Sequence, residues 1–297
     1  MNHTERRTKL RVLLTGSQCA SAASVYDPLS ARVAQAAGFQ FGLLMGSVAS
    51  STILGAPDLV VLTLTELADQ ARRITRVSKL SLMVDADHGY GNALNVMRTV
   101  QELEHAGVAG LTIEDTALPM AFGQVLVGER FGHAESGDRL VSIEEGVGKM
   151  RAAIAARSDP SLVLVARTSA LKVEGIESAV IRAKAYAAAG VDAIWVAGQP
   201  EKLEAIQAIH AASRLPIMLG AGRAGLKHDE LAACGVRFLS QFSQAFAVAV
   251  KALHETYTHL FNGGAPADLK SKIASPEQMD QLVDGENYKL WLREYMR

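Results

Sequence analysis

The stretch "SLMVDADHGYGNALNVMRTVQELEHAGVAGLTIED", residues 81–115, contains three elements in order. An apolar run ends in two aspartates, an amphipathic pattern follows over residues 93–107, and a second apolar run ends in two acids. Short apolar runs with polar ends are typical of strands buried on both faces, and the pattern between them has the period of a helix. The order strand, helix, strand predicts a parallel unit, because parallel strands need a crossover connection of this length.

The same alternation continues along the chain. The apolar runs predicted as strands are residues 22–26, 41–46, 81–87, 110–115, 162–168, 193–198, 216–221 and 237–242. Clear helix patterns occupy residues 65–79, 93–107, 142–158 and 177–190. Eight parallel strands in 297 residues favour a closed (β/α)8 barrel of the TIM type over an open sheet. The chain shows no internal repeat or linker, so residues 1–297 are predicted to form one domain.

Helical sequence continues beyond the eighth predicted strand. "AFAVAVKALHETYTHLF" and "NYKLWLREYMR" both carry large apolar residues, and one barrel does not need this additional helix. We therefore expect residues 258–297 to form a helical extension that makes contacts in a homo-oligomer.

Composition limits the class of function. The net charge is −1 with no basic stretch, which argues against a nucleic-acid partner. No apolar stretch approaches the roughly 20 residues that span a bilayer, so no membrane association is expected. The two cysteines are too few for a disulfide framework, and their spacing does not suit zinc. A cytoplasmic location is the expectation.

Acidic residues end two neighbouring predicted strands. Asp85 and Asp87 close the third strand, and Glu114 closes the fourth. Active sites of such barrels lie at the C-terminal ends of the strands, where these three carboxylates would converge and repel one another without a cation. Oxygen ligands without a nearby cysteine favour Mg²⁺, or Mn²⁺, over zinc. The alternative is a solvated acidic loop.

Two further strand ends carry groups suited to anions. Arg167 ends the fifth strand and could grip a substrate carboxylate in a bidentate manner. Its alternative role is a structural partner for Glu114 or Asp115. Gly46, Ser47 and Val48 follow the second strand, and could offer backbone N–H groups and a hydroxyl to an anion.

These motifs carry a family resemblance. The matching segments are "SVYDPLSARVAQAAGF", "GSVAS", "GAPD", "DADHGYGNALNVMRTVQELEHAGVAGLTIED", "EEGVGKMRAA" and "ART". The chain resembles the isocitrate lyase and phosphoenolpyruvate mutase superfamily, most closely its oxaloacetate decarboxylase branch.

The resemblance implies a (β/α)8 barrel that binds Mg²⁺, largely through waters, by Asp85, Asp87 and Glu114, with a 2-oxo acid chelating the metal. It also implies that Ser47 and Arg167 bind the substrate carboxylates, with Asp58 near the reacting groups. Tetramers that exchange C-terminal helices are common in this family.

Three positions depart from the family pattern. Phe131 stands where the lyases carry a gating-loop cysteine, which argues against aldol-type cleavage. Ser243 occupies the position of a substrate-binding histidine after the eighth strand, and Ser169 replaces a larger polar residue.

The resulting hypothesis is a Mg²⁺-dependent decarboxylase of a small 2-oxo dicarboxylic acid, with oxaloacetate as the first candidate and pyruvate as its product. The proton donor could be Tyr26, His133 or water. One alternative is a carbon–carbon lyase or phosphonate-type enzyme on the same scaffold. Another is a non-catalytic protein that binds a dicarboxylate through a metal.

The segment "GAGRAG", residues 220–225, matches a dinucleotide-binding pattern. That fingerprint needs an acid at the end of the next strand, which residues 237–242 do not supply. Phosphate binding and an ordinary loop therefore stay open for this segment, as loops at this position of a barrel can bind phosphate.

Overall fold

Eight parallel strands form a closed barrel, which confirms the predicted architecture. The computed structural model describes residues 2–119, 139–198, 203–220 and 227–297. Each strand pairs with the next along the chain, and the last pairs with the first. The strands are β1 (Ala20–Ser24), β2 (Phe41–Leu44), β3 (Ser81–Asp85), β4 (Gly110–Glu114), β5 (Val163–Thr168), β6 (Ala193–Val196), β7 (Ile217–Gly220) and β8 (Val236–Ser240).

Helices follow the strands and surround the barrel. In the described part of the chain they are α1 (His3–Thr15), α2 (Pro28–Ala36), α3 (Gly46–Ala49), α4 (Leu64–Val77), α5 (Ala93–His105), α6 (Ile143–Ala156), α7 (Ala170–Val173), α8 (Ile176–Ala189), α9 (Leu203–Ser213), α10 (His228–Ala233), α11 (Gln244–Phe261), α12 (Pro276–Leu282) and α13 (Gly285–Tyr295). A π-helical turn, Ser50–Leu54, extends α3, and a 3₁₀ turn, Pro266–Leu269, precedes α12.

Several strands are shorter than the sequence predicted. The third ends at Asp85 rather than at residue 87, because Asp87 has a φ of 47° and has left the extended conformation. The first begins two residues before the predicted start at residue 22. Polar strand ends therefore belong in part to the connecting turns, as Asp87 does.

The core has two layers separated by the sheet. Inward-facing side chains such as Phe41, Met83, Val165 and Phe238 fill the barrel, while outward-facing ones pack beneath the helices. This division follows from the alternation of side chains along each strand.

An N-terminal helix that the sequence did not predict covers one end of the barrel. Leu10 and Leu14 of α1 are buried against the barrel interior. Arg7 and Arg11 on the same helix donate hydrogen bonds to backbone carbonyls at this end. The helix is polar on average, so its buried role depends on partners distant in sequence.

The C-terminal helices are exposed. No residue of α11 is buried, and Phe261 at its end is 92% exposed. The predicted boundary at residue 258 falls inside α11, which begins at Gln244. Among the described residues, no helix is both long and apolar enough to cross a membrane.

Candidate active site

Three predicted carboxylates lie at the C-terminal mouth of the barrel. Asp85 ends β3, Asp87 lies in the following turn, and Glu114 ends β4. All three are buried. The Glu114 amide donates to the Asp87 carbonyl at 2.8 Å, so the turn is joined to the neighbouring strand. The Thr112 hydroxyl donates to Asp85 Oδ1 at 2.8 Å. The site is therefore built on two adjacent strand ends.

Arg167 reaches this cluster from β5. Its Nη1 donates to Asp85 Oδ2 at 2.6 Å, and its Nε lies 3.3 Å from Glu114 Oε2 without forming a hydrogen bond. The guanidinium also lies 5.0 Å from the centre of the Trp195 ring, its register neighbour on β6. Of the alternatives raised from the sequence, the contact with Glu114 is present, whereas Asp115 has other partners. The side chain is 22% exposed.

Two carboxyl groups in the mouth have raised pKa values. Burial raises the pKa of Glu114 to about 7, against the opposing effect of Arg167, and the charge of Asp85 raises it further. Burial also raises the pKa of Asp87 well above its ordinary value, and the charges of Asp85, Glu114 and Asp58 add to this. Buried carboxylates in such surroundings favour a bound cation or a proton.

The donor set fits a hard divalent cation. Its ligating atoms are carboxylate oxygens, the type that Mg²⁺ and Mn²⁺ prefer. Among the described residues, no three acidic, histidine or cysteine side chains already form a cage around one point. A cation in this mouth would therefore take part of its coordination from water or from a bound acid.

The predicted anion-binding segment lies beside the acids. Gly46, Ser47 and Val48 form the first turn of α3, where backbone N–H groups have no partner within the helix. A Cβ atom at Gly46 would lie 2.6 Å from Asp87 Oδ1, so only glycine allows the aspartate to approach this closely. The absence of a side chain at Gly46 thus lets the segment after β2 pack against the acidic turn after β3.

The remaining predicted residues are placed less closely. Asp58 is near enough for its charge to raise the pKa of both Asp87 and Glu114. Ser243 is the N-cap residue of α11 after β8, and no described contact joins it to the acids. Tyr26 packs edge-on against Phe246 of α11 at a ring distance of 5.3 Å. Phe131, His133 and residues 221–225 lie outside the described residues.

Sequence reasoning missed a buried lysine near the site. Lys149 of α6 is 3% exposed, and its Nζ donates to the His88 carbonyl at 3.1 Å. This contact holds the turn that carries Asp87. The charge of Lys149, after the larger effect of burial, contributes to lowering the pKa of His88 to about 4. The sequence did contain a signal for this residue, because a lysine on the apolar face of an amphipathic helix indicates a buried charge.

Trp195 was also missed. Its inward position on β6 places the ring against Arg167. An aromatic face attracts a guanidinium and restricts its orientation. In the sequence it reads as one apolar residue in a strand, so no local signal distinguished it.

A closed parallel barrel with an acidic, arginine-containing mouth defines this chain as an α/β-barrel protein of the kind that hosts enzymes. Comparison with known families makes the class specific. The family model described as phosphoenolpyruvate phosphomutase matches residues 10–261. The chain belongs to this family.

Curated relatives are similar over nearly their whole length. An oxaloacetate decarboxylase of Rhodopseudomonas palustris (strain BisA53) is 49% identical over 282 residues, covering 95% of this chain and 93% of the relative. An oxaloacetate decarboxylase of Bradyrhizobium diazoefficiens is 49% identical over 284 residues, covering 95% and 94%.

Solved structures share the fold at lower identity. Oxaloacetate acetylhydrolase in complex with 3,3-difluorooxalacetate is 29% identical with a TM-score of 0.82, covering 97% of this chain and 96% of that one. Phosphonopyruvate hydrolase in complex with oxalate and Mg²⁺ is 28% identical with a TM-score of 0.84, and the match covers 100% of both chains.

Proposed function

We propose that this protein decarboxylates oxaloacetate to pyruvate and CO₂ and requires a divalent cation, Mg²⁺ or Mn²⁺. The observation that carries the proposal is the mouth of the barrel, where Asp85, Asp87 and Glu114 lie buried beside the partly exposed Arg167. The similarity to oxaloacetate decarboxylases at 49% identity supports the same substrate.

The cation would be held by Asp85, Asp87 and Glu114. When bound, it supplies Lewis-acid stabilisation of the negative charge that develops on the 2-oxo oxygen as CO₂ leaves. The raised pKa values of Asp87 and Glu114 support this assignment, because a cation would favour their ionised forms.

Arg167 would bind and orient a substrate carboxylate. Asp85 and the Trp195 ring hold its guanidinium, and no described residue accepts a hydrogen bond from its Nε. Backbone N–H groups of Gly46, Ser47 and Val48 would bind the second carboxylate, with Asp58 and Ser243 at the edge of the site. In the reaction the bond to the far carboxylate breaks, its electron pair stays on the remaining carbon chain, and a proton from water completes pyruvate.

The test is pyruvate release from oxaloacetate by purified protein with Mg²⁺, after chelation, and after Mg²⁺ is restored. We expect activity that is lost on chelation and regained on addition. Undiminished activity in chelated protein would contradict the metal site. Binding of oxaloacetate without pyruvate release would favour a non-catalytic binding protein.

A substrate panel separates decarboxylation from carbon–carbon cleavage, the activity suggested by the 27% identical 2,3-dimethylmalate lyase. Cleavage needs a base and an acid, each typically contributing about 10²–10⁴ in rate. Phe131 replaces the cysteine of the lyases, so we expect oxaloacetate to be turned over much faster than methylisocitrate or 2,3-dimethylmalate. Faster turnover of either hydroxy acid would overturn the decarboxylase proposal.

We also propose a homo-oligomer, a tetramer by family resemblance, assembled through the C-terminal helices. Tyr288, Trp291 and Tyr295 of α13 are exposed, as are apolar residues along α11. Deletion of residues 272–297 should give smaller, less soluble species in sedimentation. A full-length protein that sediments as a compact monomer at micromolar concentration would refute this.

A further inference from the structure

A second polar cluster lies on the outer side of the sheet, directly behind the candidate active site. The outer cluster comprises Asp115, Thr168, Arg182 and Tyr186, all buried. Asp115 Oδ2 accepts hydrogen bonds from Thr168 Oγ1 at 2.7 Å, Tyr186 Oη at 2.8 Å and Arg182 Nη1 at 3.3 Å. The four side chains join the ends of β4 and β5 to helix α8.

The outer cluster shares its strand ends with the candidate site. Glu114 and Arg167 are register partners on β4 and β5, and both face the mouth of the barrel. The next residues, Asp115 and Thr168, face outward because side chains alternate along a strand. The same two strand ends therefore carry the Glu114–Arg167 pair inside and the Asp115–Thr168 hydrogen bond outside.

Helix α6 supports both sides of this arrangement. A Cβ atom at Gly146 would lie 2.4 Å from the Tyr186 hydroxyl, so glycine makes room for that group. One turn later on the same helix, Lys149 donates to the His88 carbonyl beside Asp87. The helix thus contacts the outer cluster and the acidic turn together.

We propose that the outer cluster is a positioning device that sets the spacing of Glu114 and Arg167, with Asp115 and Thr168 as positioning residues. The proposal rests on the proposed function of the mouth. A buried carboxylate with its partners rarely adds stability over apolar residues of the same volume, so stability alone gives little reason for it. A role in orienting the residues of a binding site does explain such a cluster.

The test compares two buried threonines. Thr168→Val removes the hydroxyl that donates to Asp115, whereas Thr75→Val removes an equally buried hydroxyl that donates to the Ala106 carbonyl at 2.6 Å, away from the site. The measurements are the thermal midpoint and the affinity for oxalate, an enolate mimic, by calorimetry with Mg²⁺. Thr168→Ser, which keeps the hydroxyl, tests rescue.

We expect both valine variants to lose similar thermal stability. Only Thr168→Val should lose oxalate affinity, by about 10–100-fold as is typical for residues that orient ligands, and Thr168→Ser should recover most of it. If Thr168→Val does not fold, Tyr186→Phe removes another donor to Asp115 and should weaken oxalate binding by several-fold.

Equal oxalate affinity in Thr168→Val and Thr75→Val, or no recovery in Thr168→Ser, would overturn the inference. Failure of the proposed function has a different result: wild-type protein would bind oxalate with Mg²⁺ yet release no pyruvate from oxaloacetate. The comparison of the two threonines would then still decide the role of the outer cluster. Wild-type protein that binds no oxalate would overturn both.

Discussion

The two ends of the barrel both contain arginines beside carboxylates, but their hydrogen bonding differs. At the N-terminal end, each guanidinium nitrogen of Arg7 donates, with Nε to the Val108 carbonyl, Nη1 to Asp159 and Nη2 to the Glu104 carbonyl. Arg11 is equally satisfied by Asp192 and two carbonyls. Arg7 and Arg11 are thus fully hydrogen-bonded, although Nε of Arg6 on the same helix is buried without a hydrogen-bond partner among the described residues.

The C-terminal mouth differs mainly in its carboxyl groups. Arg167 donates to Asp85, and its buried Nε has no hydrogen-bond partner in the described part of the chain. Asp87 and Glu114 have raised pKa values, mainly because of burial. Buried carboxyl groups whose ionised forms are disfavoured mark a place where a cation or another ligand is expected. Similar residues therefore form a hydrogen-bonded network at one end and a candidate binding site at the other.

Replacing one arginine at each end should distinguish a role in activity from a role in stability, and it has the largest expected effect of the predictions. Arg167→Lys replaces a planar fork by a point charge and should raise the activation free energy for the reaction with oxaloacetate by about 2–5 kcal/mol. This change would lower kcat/KM roughly 30-fold or more. Arg11→Lys should reduce the free energy of unfolding by about 1–2 kcal/mol and leave kcat/KM unchanged. Steady-state kinetics and denaturant titration measure the two quantities.

Near-normal kinetics in a folded Arg167→Lys protein would show that Arg167 is only a structural partner of Asp85 and Glu114. A loss of kcat/KM in Arg11→Lys at full folding would show that the two ends are coupled, and the comparison would then fail.

Removal of divalent cations should make stability depend on pH. Burial raises the pKa of Glu114 from 4.5 to about 7, so the folded state keeps a proton that the unfolded state releases. Stability of chelated protein should therefore fall as pH rises from about 4.5 to about 7, by on the order of 2–4 kcal/mol. Saturating Mg²⁺ should remove this slope, because the bound carboxylates stay ionised.

Thermal unfolding across this pH interval, with chelator and with Mg²⁺, gives the measurement. The same pH dependence under both conditions would mean that Glu114 does not contact the cation.

The N-terminal end should show the opposite pH dependence and a smaller effect. Although burial acts in the other direction, hydrogen bonds from Ser161, Arg7 and Thr4 hold the pKa of Asp159 below its usual value. Its stabilising contribution is therefore complete above about pH 4 and lost as pH falls further. Asp159→Asn should cost about 1–3 kcal/mol at neutral pH and weaken the acid-induced loss.

Acid titration of unfolding compares Asp159→Asn with Asp69→Asn, whose side chain is half exposed. The surface variant should match the wild type in stability at neutral pH. An Asp159→Asn protein with unchanged stability would show that the network at this end contributes little.

Much of the fold could be predicted because its signals are local. Each strand is a short apolar run, and each helix repeats its apolar positions, so a segment such as 81–115 contains the pattern of its own structure. The polar ends of β3 and β4 indicated where acids would gather, since parallel strands present their C-terminal ends on one side. Helix α1 escaped this reasoning because the partners of its arginines lie about 100 to 150 residues away in sequence.

The sequence alone determined that residues 110–115 end in two acids on opposite faces, and that Arg167 ends a neighbouring strand. It left open whether Glu114 or Asp115 would meet the arginine. Only the tertiary structure decided this, because the closure of the barrel turns Glu114 toward Arg167 and Asp115 toward Arg182 and Tyr186. The same closure brings Trp195 and Lys149 to the site. Alternation along a strand is a local property, whereas which face becomes the interior depends on how all eight strands pack.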